Sequence, residues 1–395
     1  MKKFSLSKIG LLPRIIIAIV LGIGAGYVFP EWAARSFATF NYVFSQFLNF
    51  IVPLLIIGLV APGIADLGKG AGRLLAITTV LAYIFTVISG LSAYGVATTL
   101  FPSLIEGSVS DIKEATAAAA PWFKVEIPAA IGVMTALVLA FVLGLGTAVT
   151  GSERIKGVLD DFRAIISSVI SGVLIPLLPL YIFGVFMKMT MTGEVAGVLS
   201  IFLKIIFVLI LMAIILLIFQ YSVAGVVSGK NPFKMLWTML PAYATAVGTQ
   251  SSAATIPVTL DRAIKIGIRP SIASFTIPLC ATIHLSGSML NITSCALALM
   301  MFHNTPIEFG MVFEFICMLA ITMVAAPGVP GGAVMAALPV LQSVLGFNEE
   351  LLALMIAIYI AMDSIGTATN VTGDGAISVI VDRIDRIGKK EEKVA

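Results

Sequence analysis

Apolar stretches long enough to cross a lipid bilayer recur along this chain, and they restrict its fold more than any other feature. A membrane-spanning helix needs about 20 predominantly apolar residues. Hydrophobic residues make up 59% of the 395-residue chain and charged residues only 11%, whereas a soluble domain carries about 25% charged residues. The sequence therefore predicts an all-α polytopic membrane protein with about eight transmembrane helices, at about 13–30, 37–64, 74–101, 128–149, 164–187, 197–226, 270–302 and 350–381.

Charged residues between these stretches predict the orientation of the chain. Lysine and arginine are enriched in cytoplasmic connections, and here they cluster in alternate connections and near both ends. We therefore predict cytoplasmic termini, an uncleaved first helix and a location in the plasma membrane, which is the inner membrane in a bacterium. The net charge of +3 does not indicate nucleic-acid binding. Cys280, Cys295 and Cys317 lie in apolar surroundings and are predicted to be core residues, not disulfide partners.

The last apolar stretch carries two carboxylates and an amide among residues that are otherwise apolar or small. At about 100° per residue, Asn370 and Asp374 each lie about 20° from Asp363 around a helix, on opposite sides. A carboxylate at membrane depth costs at least about 2.5 to 3.5 kcal/mol unless it faces a partner, an ion or water. We therefore predict that this shared face of the helix lines a binding site and does not face lipid. For either aspartate alone, a structural hydrogen bond or a protonated carboxyl group is the alternative.

Clusters of glycine and proline predict two re-entrant hairpins. Residues 233–262 have basic residues at both ends and a small, polar middle, which favours a hairpin entering from the cytoplasm. Residues 310–346 contain the stretch AAPGVPGGA at 325–333, which favours a hairpin entering from outside. A plain surface loop is the alternative for each cluster taken alone.

Each hairpin is followed by a helix that we predict to be interrupted. The first interruption is expected in ATIHLSGSMLN at 281–291, and the second in MDSIGTATNVTGDG at 362–375. Gly373 and Gly375 predict an unwound turn around Asp374, whose carbonyl oxygens can coordinate a small cation. A hairpin and a broken helix, occurring twice with opposite entry, are typical of inverted repeats with a binding site at the membrane midplane.

Three motifs carry a resemblance to a known family: SSAATIPVT at 251–259, APGVPGGA at 326–333 and NVTGD at 370–374. At these residues the chain resembles the dicarboxylate/amino acid:cation symporters, which are the sodium:dicarboxylate symporter family and include the glutamate transporter homologues. The likeness is strongest from about residue 233 to the end. In the first half it rests on hydropathy and on Tyr83 and Thr86.

The resemblance implies a homotrimer in which each chain has a fixed scaffold and a transport part that moves as an elevator. The scaffold would comprise residues 1–73, with helices 1 and 2, and residues 128–196, with helices 4 and 5. The transport part would comprise helix 3 and an outer loop at 74–127, and all of 197–395. That last segment would hold helix 6, hairpin 1 (233–262), helix 7, hairpin 2 (310–346) and helix 8.

The resemblance also implies roles for individual residues. Asp363 would pair with the ammonium group of an amino acid substrate, while Asn370, Ser252 and nearby backbone amides would hold its carboxylate. Asp374 would belong to a sodium site, with the backbone carbonyl of Asn370. Further substrate-binding candidates are Ser251, Gly366, Thr367, Ser288, Gly328 and Val329, and further ion-binding candidates are His284, Ser286, Tyr83 and Thr86. Sodium is expected as the coupling ion, and no cofactor is expected.

Two departures from the family pattern bear on the substrate. Members that carry acidic substrates usually have an arginine where this chain has Gly366 or Gln250. Without a guanidinium, a second substrate carboxylate would be buried unpaired. We therefore predict a small neutral amino acid such as serine, threonine or alanine. The alternative is an acidic amino acid or C4-dicarboxylate carrier, coupled to sodium or protons, in which another basic residue reaches the pocket.

Two further departures bear on the ions. The family's asparagine-methionine-aspartate motif is replaced here by HLS, so His284 and Ser286 stand where an amide and a carboxylate are usual. A cation site that needs this carboxylate is expected to be weak or absent, which lowers the ion stoichiometry. His284 is also a candidate proton carrier, although a neutral, hydrogen-bonded histidine is the alternative. His303 is assigned no role.

Two other classes of protein have to be weighed. An intramembrane aspartyl protease would use Asp363 and Asp374, but such enzymes have a glycine where this chain has Val371, and their aspartates come from separate helices. A channel would not need sealing hairpins on both sides of one site. The sequence therefore favours a membrane carrier, not an enzyme, whose partners are an amino acid, sodium ions or protons, and membrane lipid.

Overall fold

A computed structural model of the chain describes residues 11–66, 72–105, 120–193, 195–324, 326 and 330–391, and all regular secondary structure in these ranges is helical. The helices are α1 (Leu11–Val28), α2 (Glu31–Asp66), α3 (Gly72–Ile105), α4 (Val133–Thr150), α5 (Glu153–Val169), α6 (Ile175–Thr192), α7 (Val195–Ser228), α8 (Pro232–Thr249), α9 (Ser252–Lys265), α10 (Pro270–Ile283), α11 (Ser286–Phe302), α12 (Phe309–Met323), α13 (Gly332–Leu345) and α14 (Glu349–Glu391).

Within the described ranges, seven helical segments are long and apolar enough to cross a membrane, compared with about eight predicted. The predicted span at 128–149 corresponds to α4, an apolar helix of 18 residues, the same length as α1. At 1.5 Å per residue each is about 27 Å long, close to the hydrocarbon core of about 30 Å. Helices α5 and α6 are joined through a π-helical turn at Ile170–Leu174 into one span that contains the predicted span at 164–187.

Each predicted hairpin contains a pair of helices, α8 and α9 in the first and α12 and α13 in the second. Helix α8 ends at Thr249 and is followed by Gln250, which has a left-handed backbone conformation with φ of 51°. Ser251 caps the start of α9 by accepting a hydrogen bond from the Ala254 N–H. Helix α13 of the second pair begins after Gly331, whose φ of 75° favours glycine. Residues 325 and 327–329, which include the candidates Gly328 and Val329, lie outside the described residues.

The first predicted interruption is present. Helix α10 ends at Ile283, His284 is extended, and α11 begins at Ser286. The N–H groups in the first turn of a helix have no partner within the helix. The side-chain oxygen of Asn370 on α14 accepts hydrogen bonds from two of them, Gly287 N at 2.7 Å and Ser288 N at 3.2 Å. This interhelical contact allows the chain to break inside the protein.

The second predicted interruption is wrong, because α14 is continuous through Gly373, Asp374 and Gly375. The two glycines are explained by close packing and not by unwinding. A Cβ atom on Gly373 would lie 2.6 Å from His284 Cε1, and one on Gly375 would lie 2.5 Å from the Tyr221 hydroxyl. Glycine at these positions therefore lets α7 and the α10–α11 break approach an intact helix.

The helices pack most extensively within two sets, and one buried apolar core runs across both. In the first, α1 packs on α6, and α2 packs on α4, α5 and α6; in the second, α14 packs on α7, α8, α10 and α11, and α11 also packs on α3. The span formed by α10 and α11 is almost entirely buried, whereas α1, α3 and α7 expose large apolar side chains. The polar residues of α11 and α14 therefore lie at the centre of the second set.

Candidate functional site

The polar face of α14 is buried in protein. Asp363 is 4% exposed, Asn370 2% and Asp374 1%. Each side chain contacts a different element: Asp363 the second hairpin, Asn370 the start of α11, and Asp374 the break between α10 and α11. The helical spacing therefore produces a row of polar groups along the inner side of α14, where burial raises the strength of each electrostatic interaction.

Among the described residues, those that donate hydrogen bonds to Asp363 are all uncharged. The Gly331 N–H, at the start of α13, donates to Asp363 Oδ2 at 2.7 Å, and the Thr367 hydroxyl donates to Oδ1 at 3.3 Å. The Tyr359 hydroxyl, one helical turn earlier, also lies within reach of this carboxyl group. In the described part of the chain, no lysine or arginine forms an ion pair with Asp363. The carboxyl group is therefore buried without a charged partner among the described residues.

Asn370 joins α14 to the first turn of α11. Its side-chain oxygen accepts the two bonds described above, and its Nδ2 donates to the Ser288 hydroxyl oxygen at 2.9 Å. The Tyr359 hydroxyl also donates to the Ser288 hydroxyl oxygen, at 2.9 Å. The two helices approach closely here, since a Cβ atom on Gly287 would lie 2.6 Å from Thr369 Cβ. Ser288, Asn370 and Tyr359 thus form one hydrogen-bonded group beside Asp363.

Asp374 lies against His284. The His284 Nδ1 atom is 2.9 Å from Asp374 Oδ1, and both side chains are buried. The other ring nitrogen of His284 lies 3.4 Å from Nε2 of Gln220, a fully buried residue of α7. Gln220 Nε2 also donates to the Ser286 hydroxyl at 3.0 Å, and the Ser89 hydroxyl donates to the Ser286 carbonyl at 2.5 Å. His284 and Ser286 therefore belong to one buried polar cluster with Asp374.

Asp374 Oδ2 and Gln220 Oε1 of this cluster have no hydrogen-bond partner in the described structure, and Thr86 Oγ1 on α3 has none either. Asp374 and Gln220 both contact the imidazole of His284, and Phe85, the neighbour of Thr86, packs against the same ring with 6.4 Å between centroids. A buried oxygen without a donor costs about 1–3 kcal/mol. Oxygen atoms are the ligands that hard cations prefer, so Asp374 Oδ2 and Gln220 Oε1 are the oxygens of this cluster that would hold a cation such as sodium.

The remaining candidates have other surroundings. The Tyr83 hydroxyl faces the Cys317 carbonyl of α12 at 3.5 Å, away from the polar contacts of Asp374. Ser251 caps α9 and Ser252 is buried at its first turn. Gly366 faces α11, because a Cβ atom there would lie 2.8 Å from Asn291 Nδ2. An arginine at this position would therefore displace Asn291.

Sequence reasoning missed two residues of the site. Tyr359 lies four positions before Asp363, on the same helical face, so helical spacing could have found it. Gln220 is a lone amide in the apolar run of α7, and an amide at membrane depth signals a buried polar contact. Its partners, 64 and 66 positions later, could not be read from the sequence.

Known proteins are similar in sequence to this chain over nearly its whole length. The serine/threonine transporter SstT of Acinetobacter baumannii strain AYE is 29% identical over 398 residues, which cover 95% of this chain and 97% of that protein. The SstT of strain SDF is 30% identical over 400 residues, with the same coverage. The SstT of Streptococcus thermophilus strain CNRZ 1066 is 28% identical over 407 residues, covering 97% of this chain and 98% of that protein.

The family match spans nearly the whole described chain. A family model described as the sodium:dicarboxylate symporter family matches residues 11–384, which include both hairpins and all of the polar cluster. Together with the seven apolar helical segments of the described ranges, this match identifies an integral membrane protein. The chain belongs to the sodium:dicarboxylate symporter family.

Proposed function

We propose that this protein is a sodium-coupled symporter that imports a small neutral amino acid, with serine and threonine as the first candidates. The observation that carries the proposal is the environment of Asp363, a buried carboxylate whose hydrogen-bond donors among the described residues are neutral. Such a group can pair with the ammonium of a zwitterion. The names of the SstT relatives support serine and threonine among neutral amino acids.

The contact between Asp363 and Gly331 supports a coupling between substrate binding and movement of the second hairpin. Because Gly331 immediately precedes α13, its N–H places the tip of the second hairpin on the carboxylate. A substrate ammonium would compete with this N–H for Oδ2, and the hairpin tip would move aside to admit it. The substrate carboxylate would face the N-terminal end of α9, where Ser251 and Ser252 lie and where the helix dipole favours an anion.

The cation site is proposed around Asp374. Its Oδ1 atom faces His284, so Oδ2 remains as the charged ligand. The Asn370 carbonyl lies within continuous α14, so it would become a second ligand only if the helix opened there during transport. Ser286 supplies a neutral hydroxyl where a second carboxylate would be needed for another cation. We therefore expect fewer sodium ions per cycle than in family members that have this carboxylate.

The two sets of packed helices support an elevator-type movement. Helices α1, α2, α4, α5 and α6 would form the scaffold, and the remaining helices the transport part, with α8–α9 and α12–α13 as re-entrant hairpins of two inverted repeats. Between the sets, Lys188 Nζ on α6 pairs with Glu350 Oε2 on α14 at 3.0 Å. This partly exposed contact would break during the movement at little cost. We further propose a homotrimer with cytoplasmic termini in the bacterial inner membrane.

Uptake into proteoliposomes tests the substrate and the coupling together. With an inward sodium gradient, we expect accumulation of labelled serine, competition by threonine and alanine, and no accumulation when potassium replaces sodium. Substrate-dependent thermal stabilisation in both salts reports binding separately from transport. If aspartate or succinate competes about tenfold better than serine, which corresponds to about 1.4 kcal/mol, the neutral-substrate proposal is wrong and the dicarboxylate alternative holds.

A further inference from the structure

A small pocket of about 140 Å³ lies at the ends of α7 and α14, with Asp382 about two helical turns beyond Asp374. Three separate segments meet there: the α7–α8 connection with Lys230, the α9–α10 connection with Gly267, and α14 with Asp382, Arg383 and Arg386. The cavity is large enough for several water-sized groups, and hence for a phosphate group.

The charges around this pocket do not balance. Asp382 accepts from Arg269 Nε at 2.6 Å and from Arg386 at 2.8 Å, so both of its oxygens are already paired with guanidinium groups. Arg269 also pairs with Asp385 at 2.7 Å. No direct ion pair is described for Lys230 or Arg383, although Asp382 lies near enough to favour the charged form of the Lys230 amine. The local cluster therefore has an excess of two positive charges, which favours an anion.

Lys230 is held at the pocket by the backbone. Its Nζ donates to the carbonyls of Ile266 at 2.9 Å and Gly267 at 3.2 Å, beyond the end of α9. Burial lowers the pKa of the Lys230 amine, because water has limited access to its charge there. Gly267 has a φ of 93°, and a Cβ atom there would lie 3.1 Å from Nζ. The ammonium group is thus fixed in place and incompletely solvated.

We propose that this pocket binds a phosphate group, with Lys230, Arg383 and Arg386 as its cationic ligands. Its surroundings favour a phospholipid headgroup as the source. Val226, Phe233 and Trp237 flank Lys230 along the chain and are 87%, 65% and 75% exposed. Tryptophan is enriched at membrane interfaces, and basic pockets between helices on the cytoplasmic side bind anionic headgroups. The bound group would tie the base of the first hairpin to α14.

The test uses the full chain purified in detergent, with thermal unfolding as the readout. We expect phosphatidylglycerol, but not phosphatidylcholine, to raise the apparent melting temperature by about 2 °C or more. Inorganic phosphate is the third compound tested in the same unfolding experiment. The test variant combines Lys230→Gln and Arg383→Gln in one protein. The matched control is Lys234→Gln, which replaces an exposed lysine on α8 that does not line the pocket.

The stabilisation should be at least halved in the Lys230→Gln, Arg383→Gln variant and retained in the Lys234→Gln control. If inorganic phosphate reproduces the effect with the same dependence on Lys230 and Arg383, the site is supported and its ligand is a soluble phosphate. Equal stabilisation of all three proteins, or no stabilisation of the unsubstituted chain by either anion, overturns the proposal. Native mass spectrometry of retained phosphatidylglycerol gives an independent count of bound lipid.

Discussion

His284 Nδ1 lies 2.9 Å from Asp374 Oδ1, and both side chains are buried away from solvent. This contact joins an aspartate that matches the family motif to a histidine that departs from the family motif. One carboxylate oxygen is held by the imidazole, while the other has no partner among the described residues. The departure at His284 therefore changes the surroundings of the proposed cation site without removing its charge.

Replacing Asp374 with asparagine should weaken sodium binding by about tenfold or more, because it removes the only carboxylate proposed as a cation ligand. The preference for serine over threonine should not change. The measurement is the sodium dependence of serine uptake, together with sodium-dependent thermal stabilisation. The control is Asp261→Asn, an exposed residue paired with Lys265 on α9. Unchanged uptake at low sodium would remove Asp374 from the cation site.

Replacing Asp363 should abolish amino acid binding, since the substrate ammonium would lose its buried counter-charge. Asp363→Asn is the sharper variant, because its amide oxygen can still accept from Gly331 and keep the hairpin contact. We expect serine affinity to fall more than about 100-fold in both Asp363→Ala and Asp363→Asn. Serine-dependent thermal stabilisation measures this. Normal serine binding in a folded Asp363→Asn protein would show that the ammonium binds elsewhere.

Restoring the family residues at the α10–α11 break should add a cation. The double variant His284→Asn, Ser286→Asp introduces a carboxylate that can accept from Gln220 Nε2, which already reaches Ser286. We expect a steeper dependence of serine uptake on sodium, with a Hill coefficient higher by about one half or more. The isosteric control, His284→Asn with Ser286→Asn, lacks the new charge and should show no increase. The same steepness in both variants would contradict this prediction.

An arginine at position 250 should admit acidic substrates. Gln250 already has a φ of 51° at the tip of the first hairpin, so Gln250→Arg adds a guanidinium without new backbone strain. Inhibition of serine uptake by aspartate should strengthen by about tenfold. Gly366→Arg should instead impair folding, because Asn291 occupies the space beside it. The matched control is Gln250→Lys, which adds a positive charge without the planar guanidinium. If aspartate inhibits serine uptake equally in the original protein and in Gln250→Arg, the prediction is wrong.

The continuity of α14 can be tested with alanine. If Gly373 and Gly375 serve close packing, Gly373→Ala and Gly375→Ala should each destabilise the protein by about 1–3 kcal/mol. Gly24→Ala on α1 is the control, since no atom of the described structure lies near its added methyl group, and it should stabilise by about 0.5–1 kcal/mol. Thermal unfolding of the purified variants measures both effects. Stabilisation by alanine at 373 or 375 would argue against close packing there.

The sequence by itself determined the helical membrane architecture, both helix pairs and the break at His284. These features depend on local properties: the length of apolar runs, the small and polar residues from Gly248 to Thr255 in the first hairpin, the glycines around Gly331 in the second, and the burial of polar groups on one face. The same local reasoning was wrong at Gly373 and Gly375, where α14 stays helical.

Only the tertiary structure decided how the polar groups meet. Gln220 reaches His284 and Ser286 across more than 60 positions of the chain, and Asn370 caps a helix that begins 84 positions earlier in the sequence, at Ser286. Whether a glycine unwinds a helix or admits a neighbour depends on what packs against it, and this is a property of distant residues. The physical reason is that helix formation is governed by neighbours in sequence, while the identity of a buried polar partner is governed by packing in space.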